Sequence, residues 1–215
     1  MWLESNKQTL FCPGIPGTGK TILTSVVVEE LDARLQKDPS IGIAYVYCSF
    51  QRQAEQTVEH LLLCLLKQLT RERIQTSLPV IVRNLYHRHA IQQTQPWLAE
   101  ISQALQLVAA MFLRTYIIVD ALDECQESNG CRTKLLTELF KLQERSRVNI
   151  FATSRFIPEI VDQFKGGISL EIRASNEDIQ RYVEGHMEQL PHFVQHNEEL
   201  QKEVKIGILD AVDGV

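Results

Sequence analysis

Apolar positions recur along this chain with two different periods. Short runs rich in β-branched and aromatic residues (Thr9–Cys12, Ile43–Cys48, Tyr116–Val119, Val148–Ala152 and Ile168–Ile172) alternate with longer segments whose apolar residues return every three or four positions. Those segments are Thr21–Leu35, Val58–Leu69, Pro79–Arg88, Leu98–Leu113 and Arg132–Arg145. Strands that are apolar nearly throughout, separated by helices, predict an α/β fold with a parallel sheet covered on both faces. The widest helical face is that of Leu61, Leu62, Leu65, Leu66 and Leu69. Between the second and third strands, Gln51 to Gln95 carries at least two helices and no recognisable chemistry.

After Ile172 the pattern changes. Ser175-Asn176-Glu177-Asp178 has the form of a capping box, followed at helical spacing by Ile179, Tyr182, Val183, Met187 and Leu190, with a stop at Pro191. A second helix from about Glu198 puts Leu200, Val204, Ile208, Ala211 and Val212 on one face. Two helices cannot enclose a core of their own. The expected division is therefore an α/β domain over 1–173 and the start of a helical lid over 174–215. The chain ends in mid-pattern at Asp213-Gly214-Val215, as an excerpt of a longer product would, and its bare apolar stripes favour self-association.

Chemistry enters at the first strand-to-helix junction. Gly14-Ile15-Pro16-Gly17-Thr18-Gly19-Lys20-Thr21 is a complete phosphate-binding loop lying between a strand and a helix. Glycines at 14, 17 and 19 can take positive φ and let the backbone approach closely, so that successive N–H groups converge on an anion and Gly14, Gly17, Thr18 and Gly19 are expected to bind it. The helix start adds its own unpaired N–H groups and positive dipole end. Lys20 is expected to lie between the β- and γ-phosphates, and the Thr21 hydroxyl to ligate Mg²⁺.

The third strand runs straight into Asp120-Ala121-Leu122-Asp123-Glu124. A strand delivering a carboxylate at its C-terminal end, where open α/β sheets form their sites, makes Asp120 the metal carboxylate. Glu124 is expected to polarise the water that attacks the γ-phosphate. Asp123 is left with a supporting role on the metal or on that water. The fourth strand empties into Thr153-Ser154-Arg155, where a guanidinium can sense γ-phosphate charge. All of these meet only if the first, third and fourth strands are neighbours, which predicts the order 5-1-4-3-2.

Composition narrows the class. With 44% hydrophobic and 23% charged residues the chain is globular, and a net charge of −5 with no basic run argues against nucleic acid and for a mononucleotide. No apolar run is long enough to span a bilayer, and the start lacks the pattern of a signal peptide. Cys12, Cys48, Cys64, Cys125 and Cys131 form an odd set without a C-x-x-C pair, a usage that points to the cytoplasm and to buried thiols. His87, His89, His192 and His196 lack the partners of a zinc site.

Three stretches, Phe11 to Thr21, Ile117 to Cys125 and Phe151 to Arg155, closely resemble the NACHT nucleotide-binding domain of fungal NOD-like receptors, STAND-class P-loop NTPases that often carry ankyrin or WD repeats. The likeness rests on the small residue after Asp120 and on the Asp123-Glu124 pair. It implies a signalling switch that is closed with ADP and self-associates with ATP, acting on effector and repeat domains elsewhere in the protein. By the same likeness Lys20 and Thr21 contact phosphate and Mg²⁺, Asp120 holds the metal, Glu124 activates water and Arg155 is the first sensor. No residue corresponds to the winged-helix histidine of that class. The residues leave open ATP against GTP, and slow hydrolysis against a motor ATPase of the AAA+ kind or a scaffold that binds without hydrolysis. A small-molecule kinase is disfavoured, because Glu124 suits water activation.

Overall fold

The computed structural model describes residues 2–73, 78–127, 129–173, 181, 184–186, 191–195 and 197–213, and divides into two compact units, 1–172 and 173–215. In the first unit β1 (Thr9–Pro13), β2 (Ile41–Tyr47), β3 (Arg114–Asp120), β4 (Val148–Ser154) and β5 (Ile168–Ser169) form one parallel sheet of order β2-β3-β4-β1-β5. This is the expected 5-1-4-3-2 arrangement. β5 is shorter than its pattern, yet its pairing continues through Leu170 N–H to Phe11 O (2.9 Å) and Ile172 N–H to Pro13 O (2.8 Å).

The helices are α1 (Lys20–Leu35), α2 (Val58–Arg73), α3 (Val80–Gln92), α4 (Leu98–Ala109), α5 (Cys131–Arg145) and α6 (Pro158–Gln163), with 3₁₀ turns at Phe50–Arg52 and Leu122–Glu124. Several expected boundaries move, those of α3 and α4 for identifiable reasons. Pro79 only caps α3, since it has no N–H and the residues after it carry the helix through Gln92. α4 ends at Ala109, freeing Arg114 and Thr115 to pair as the start of β3.

Alternate side chains of the central strands serve opposite cores. Ile117, Val119, Ile150, Ala152 and Phe11 pack with the α2 leucines, α4 and α5. Tyr116, Ile118, Phe151 and Cys12 pack on the other face with Val28 and Leu31 of α1, and with Trp2. Trp2 lies within 5.3 Å of the Tyr116 ring, and its Nε1–H donates to Ile150 O at 3.0 Å. Asn149, fully buried, secures that segment by donating to Trp2 O and Ser5 O, both at 2.7 Å. An apolar N-terminal anchor thus shares with α1 the covering of this face.

In the second unit α7 (His192–Gln195) and α8 (Glu198–Asp213) are helical. The expected capping box at 175–178 and the apolar positions Ile179, Tyr182, Val183, Met187 and Leu190 lie outside the described residues, as does His196. No helix among the described residues is long and apolar enough to cross a membrane.

Candidate functional site

β1 delivers the glycine-rich loop to the C-terminal edge of the sheet. Its base is tied on both sides, by Gly14 N–H to Ser154 O at 3.0 Å and by the Ile172–Pro13 bond; against expectation the Gly14 N–H is thus held by the sheet edge, and positive φ falls at Gly17 and Gly19 of the loop rather than at Gly14. A Cβ on Gly14 would come within 2.7 Å of Ile172 O and 2.8 Å of Thr18 Oγ1, so no side chain fits there. Gly19 caps α1 with φ 84°, a left-handed conformation that glycine adopts without strain. Lys20 follows at the first helical position. Its ammonium donates to the carbonyls of Gly14 (2.8 Å) and Ile15 (2.7 Å), folding over the loop it belongs to. Burial lowers the Lys20 pKa from its ordinary value, Asp123 opposes that shift, and Arg155 adds to it.

Asp120, at the end of β3, is buried and accepts three hydroxyls. Thr21 Oγ1 donates to Oδ2 at 2.8 Å, while Thr24 Oγ1 and Thr153 Oγ1 donate to Oδ1 at 2.6 and 2.7 Å. These are charge-assisted bonds, and they fix the carboxylate against the helix start. The Thr153 hydroxyl also accepts from Ala121 N–H at 2.9 Å. Ser154 Oγ, one residue on, is buried without a hydrogen-bond partner among the described residues.

Ala121 then turns left-handed with φ 52°, which bends the chain into the 3₁₀ turn holding Asp123 and Glu124. The two acids diverge. Asp123, 4% exposed, accepts Arg155 N–H at 3.0 Å and Arg155 Nε at 2.7 Å, while the Arg155 side chain stays 54% exposed. Glu124 faces the loop after β2, where its Oε2 accepts Phe50 N–H at 3.0 Å and its backbone carbonyl accepts Gln53 Nε2 at 2.9 Å.

The structure therefore joins Thr21 to Asp120, pairs Asp123 with Arg155, and sets Glu124 against Phe50. Three contributors were missed in the sequence: Thr24, Thr153 in its contact with Asp120, and the Phe50–Gln53 turn. Thr24 had a readable signal, because it lies one helical turn from Thr21 on the same face. Phe50 had none, since it acts through its backbone N–H.

The residues fit a magnesium-bound nucleotide. A hydroxyl and a carboxylate form the hard oxygen pair that a small divalent cation takes, and the loop keeps open space beside Gly17 and Gly19, both at positive φ, next to the start of α1 where phosphate would lie. The family pattern described as Nephrocystin 3, N-terminal, matches residues 1–155. The chain belongs to this family. No curated protein matches it in sequence.

Among solved structures, this nephrocystin-family chain is similar in fold to the ORC1 protein of Aeropyrum pernix, solved in complex with DNA (TM-score 0.54, 15% identity, covering 86% of this chain and 45% of that one). It is similar to Drosophila ORC bound to DNA (TM-score 0.53, 18% identity, 88% and 44%) and to a Walker-type ATPase of Pyrococcus abyssi (TM-score 0.54, 16% identity, 94% and 59%). The chain spans less than half the length of the two origin-recognition proteins. At these identities the likeness is one of fold, that of the P-loop NTPases.

Proposed function

We propose that this chain is a nucleotide-binding signalling switch of the NACHT type, which binds ATP or ADP with Mg²⁺, hydrolyses the triphosphate slowly, and controls self-association of a larger receptor-like protein. The observation that carries the reading is the 2.8 Å bond between Thr21 Oγ1 and Asp120 Oδ2, made across 99 residues beside Lys20. Because the Thr21 hydroxyl gives its proton to Asp120, its lone pairs remain for a cation. Thr21 and Asp120 would hold Mg²⁺, which when bound neutralises phosphate charge.

The remaining roles follow from what each side chain gives up. Lys20 exchanges two loop carbonyls for phosphate oxygens, a stronger, charge-assisted pairing. Glu124 takes the proton of the attacking water, and to reach it must release Phe50 N–H. That prior engagement supports slow turnover, and it equally favours a scaffold that binds without hydrolysis; a single-turnover assay with radiolabelled ATP separates the two. Arg155, oriented by Asp123 with much of its guanidinium exposed, is the sensor of the terminal phosphate. The net charge of −5 supports a mononucleotide ligand, although the two origin-recognition structures hold DNA.

Thermal melting of the chain with ATP, ADP, GTP and GDP, with and without Mg²⁺, tests the assignment. At a hundredfold excess over Kd the midpoint should rise by roughly 5–10 °C, from ~2.7 kcal/mol of linkage. No shift with any of the four overturns it.

A further inference from the structure

Three of the five cysteines, Cys48 and the nearby pair Cys125 and Cys131, converge beside the acidic turn. Cys48 follows β2 and bonds through its backbone N–H to Asp120 O at 3.0 Å; Cys125 follows Glu124 directly; Cys131 opens α5. All are buried, with exposures of 5%, 1% and 2%. The Sγ atoms of Cys125 and Cys131 lie 3.6 Å apart, and Cys131 Sγ donates to Gln56 O at 3.3 Å. The buried Arg132 guanidinium lies beside Cys125 and pairs with Glu127 at 2.7 Å.

From this convergence we propose that Cys125 and Cys131 are an oxidation site, at which a hydroperoxide converts the pair to a disulfide that tethers the turn of Asp123 and Glu124 to the start of α5. Cys125 is the sulfur attacked first. Its thiol is drawn down to about 7, chiefly by the hydrogen bond with Cys48, against burial and with help from Cys131 and Arg132. Cys48 has its backbone fixed at the sheet edge, where its N–H meets Asp120 O, so it is the poorer partner. Cys131 is pushed up to about 12, first by burial and then by the negative charge of Cys125, which disappears on oxidation. Its place at a helix start favours the thiolate once that charge has gone.

The chemistry balances with hydrogen peroxide as the oxidant. The Cys125 thiolate attacks one peroxide oxygen, an S–O bond forms, the O–O bond breaks, and the departing hydroxide takes a proton and leaves as water. Cys131 then gives up its proton and attacks that sulfur. The S–S bond forms, the S–O bond breaks, and the second hydroxide leaves as water with that proton. Two thiols have supplied the two electrons that reduce one peroxide. Closing the sulfurs to about 2 Å requires only a local shift of the turn and the helix start, because backbone bonds from Gly130 N–H to Glu127 O and from Arg132 N–H to Gln126 O already fold the connection back on itself.

The test is independent of nucleotide. The folded chain is treated with hydrogen peroxide, its remaining thiols are alkylated after denaturation, and it is digested with trypsin. Cys125 and Cys131 share the peptide Thr115–Arg132, whereas Cys48 falls in Asp38–Arg52. The expected product is Thr115–Arg132 unalkylated and lighter by two hydrogens, restored by dithiothreitol, with Cys12 alkylated as the internal control. Cys131→Ser should stop at the Cys125 sulfenic acid, trapped by dimedone. Full alkylation of both cysteines after peroxide, or recovery of Cys125 linked to Cys48, overturns the proposal.

Discussion

The buried carboxylate of Asp123 holds Arg155 at two points, accepting its backbone N–H at 3.0 Å and its Nε at 2.7 Å. Removing the arginine leaves a carboxylate with little water and half its donors. Arg155→Ala should therefore destabilise more than Asp123→Asn, whose amide oxygen can still accept the backbone N–H. Because the guanidinium is half exposed, the coupling in a double-mutant cycle should be modest, on the order of 1 kcal/mol. Urea unfolding of the four proteins measures it, and strictly additive effects would show that the pair does not hold in solution.

Lys20→Ala should weaken triphosphate binding by roughly 10²-fold or more. A charge about 4 Å from a phosphate oxygen contributes up to ~4 kcal/mol at an effective dielectric near 20, before desolvation is subtracted. Isothermal titration with ATP and Mg²⁺ reads the difference. An unchanged affinity is incompatible with the phosphate-loop assignment.

Glu124→Gln keeps the acceptor for Phe50 N–H and removes the base. Binding should persist while hydrolysis falls by about 10²–10⁴-fold. If turnover survives this change and only Asp123→Asn abolishes it, the roles of the two acids are reversed.

Ala121 sits at φ 52°, where an L-residue pays roughly 1 kcal/mol or more. Ala121→Gly relieves that strain and should leave the melting temperature level or higher, despite the greater chain entropy of glycine. Ala121→Val, β-branched in the same conformation, should lower it by several degrees. Equal melting temperatures for the two variants would mean that the turn is not left-handed.

Burial pushes the Cys12 thiol up to about 12 from an ordinary value of 9.0. Between those values the unfolded chain gives up its proton while the folded chain keeps it, so stability falls as pH rises through that window and is unaffected below it. Cys12→Ala should show a shallower alkaline decline than the parent from pH 9 upward. Parallel curves in denaturant melts at pH 8, 9 and 10 would remove the effect.

Much of the fold was legible because each element reports its own surroundings. Strands apolar along their whole length announce burial on both faces, glycines at 14, 17 and 19 announce a backbone that must approach something, and an aspartate closing an apolar strand is costly to bury unless it is met by donors. Once three motifs had to share one sheet edge, the strand order followed. Partners across elements were another matter. The register of β3 on β4, with Val119 opposite Ala152, sets Asp120 beside Thr153, and no periodicity within either strand encodes that offset.

What the sequence determined by itself is the set of elements, the phosphate loop and the kinds of side chain at the sheet edge, because these depend on local spacing and on burial. What only the tertiary structure decided is who meets whom: Asp123 with Arg155 across 32 residues, Glu124 with Phe50 across 74, Trp2 with Ile150 across 148, and Cys48 with Cys125 and Cys131 in one cluster. Such pairs form where strand register and helix packing bring distant atoms within hydrogen-bond distance, and those are properties of the packed core as a whole rather than of any segment in it.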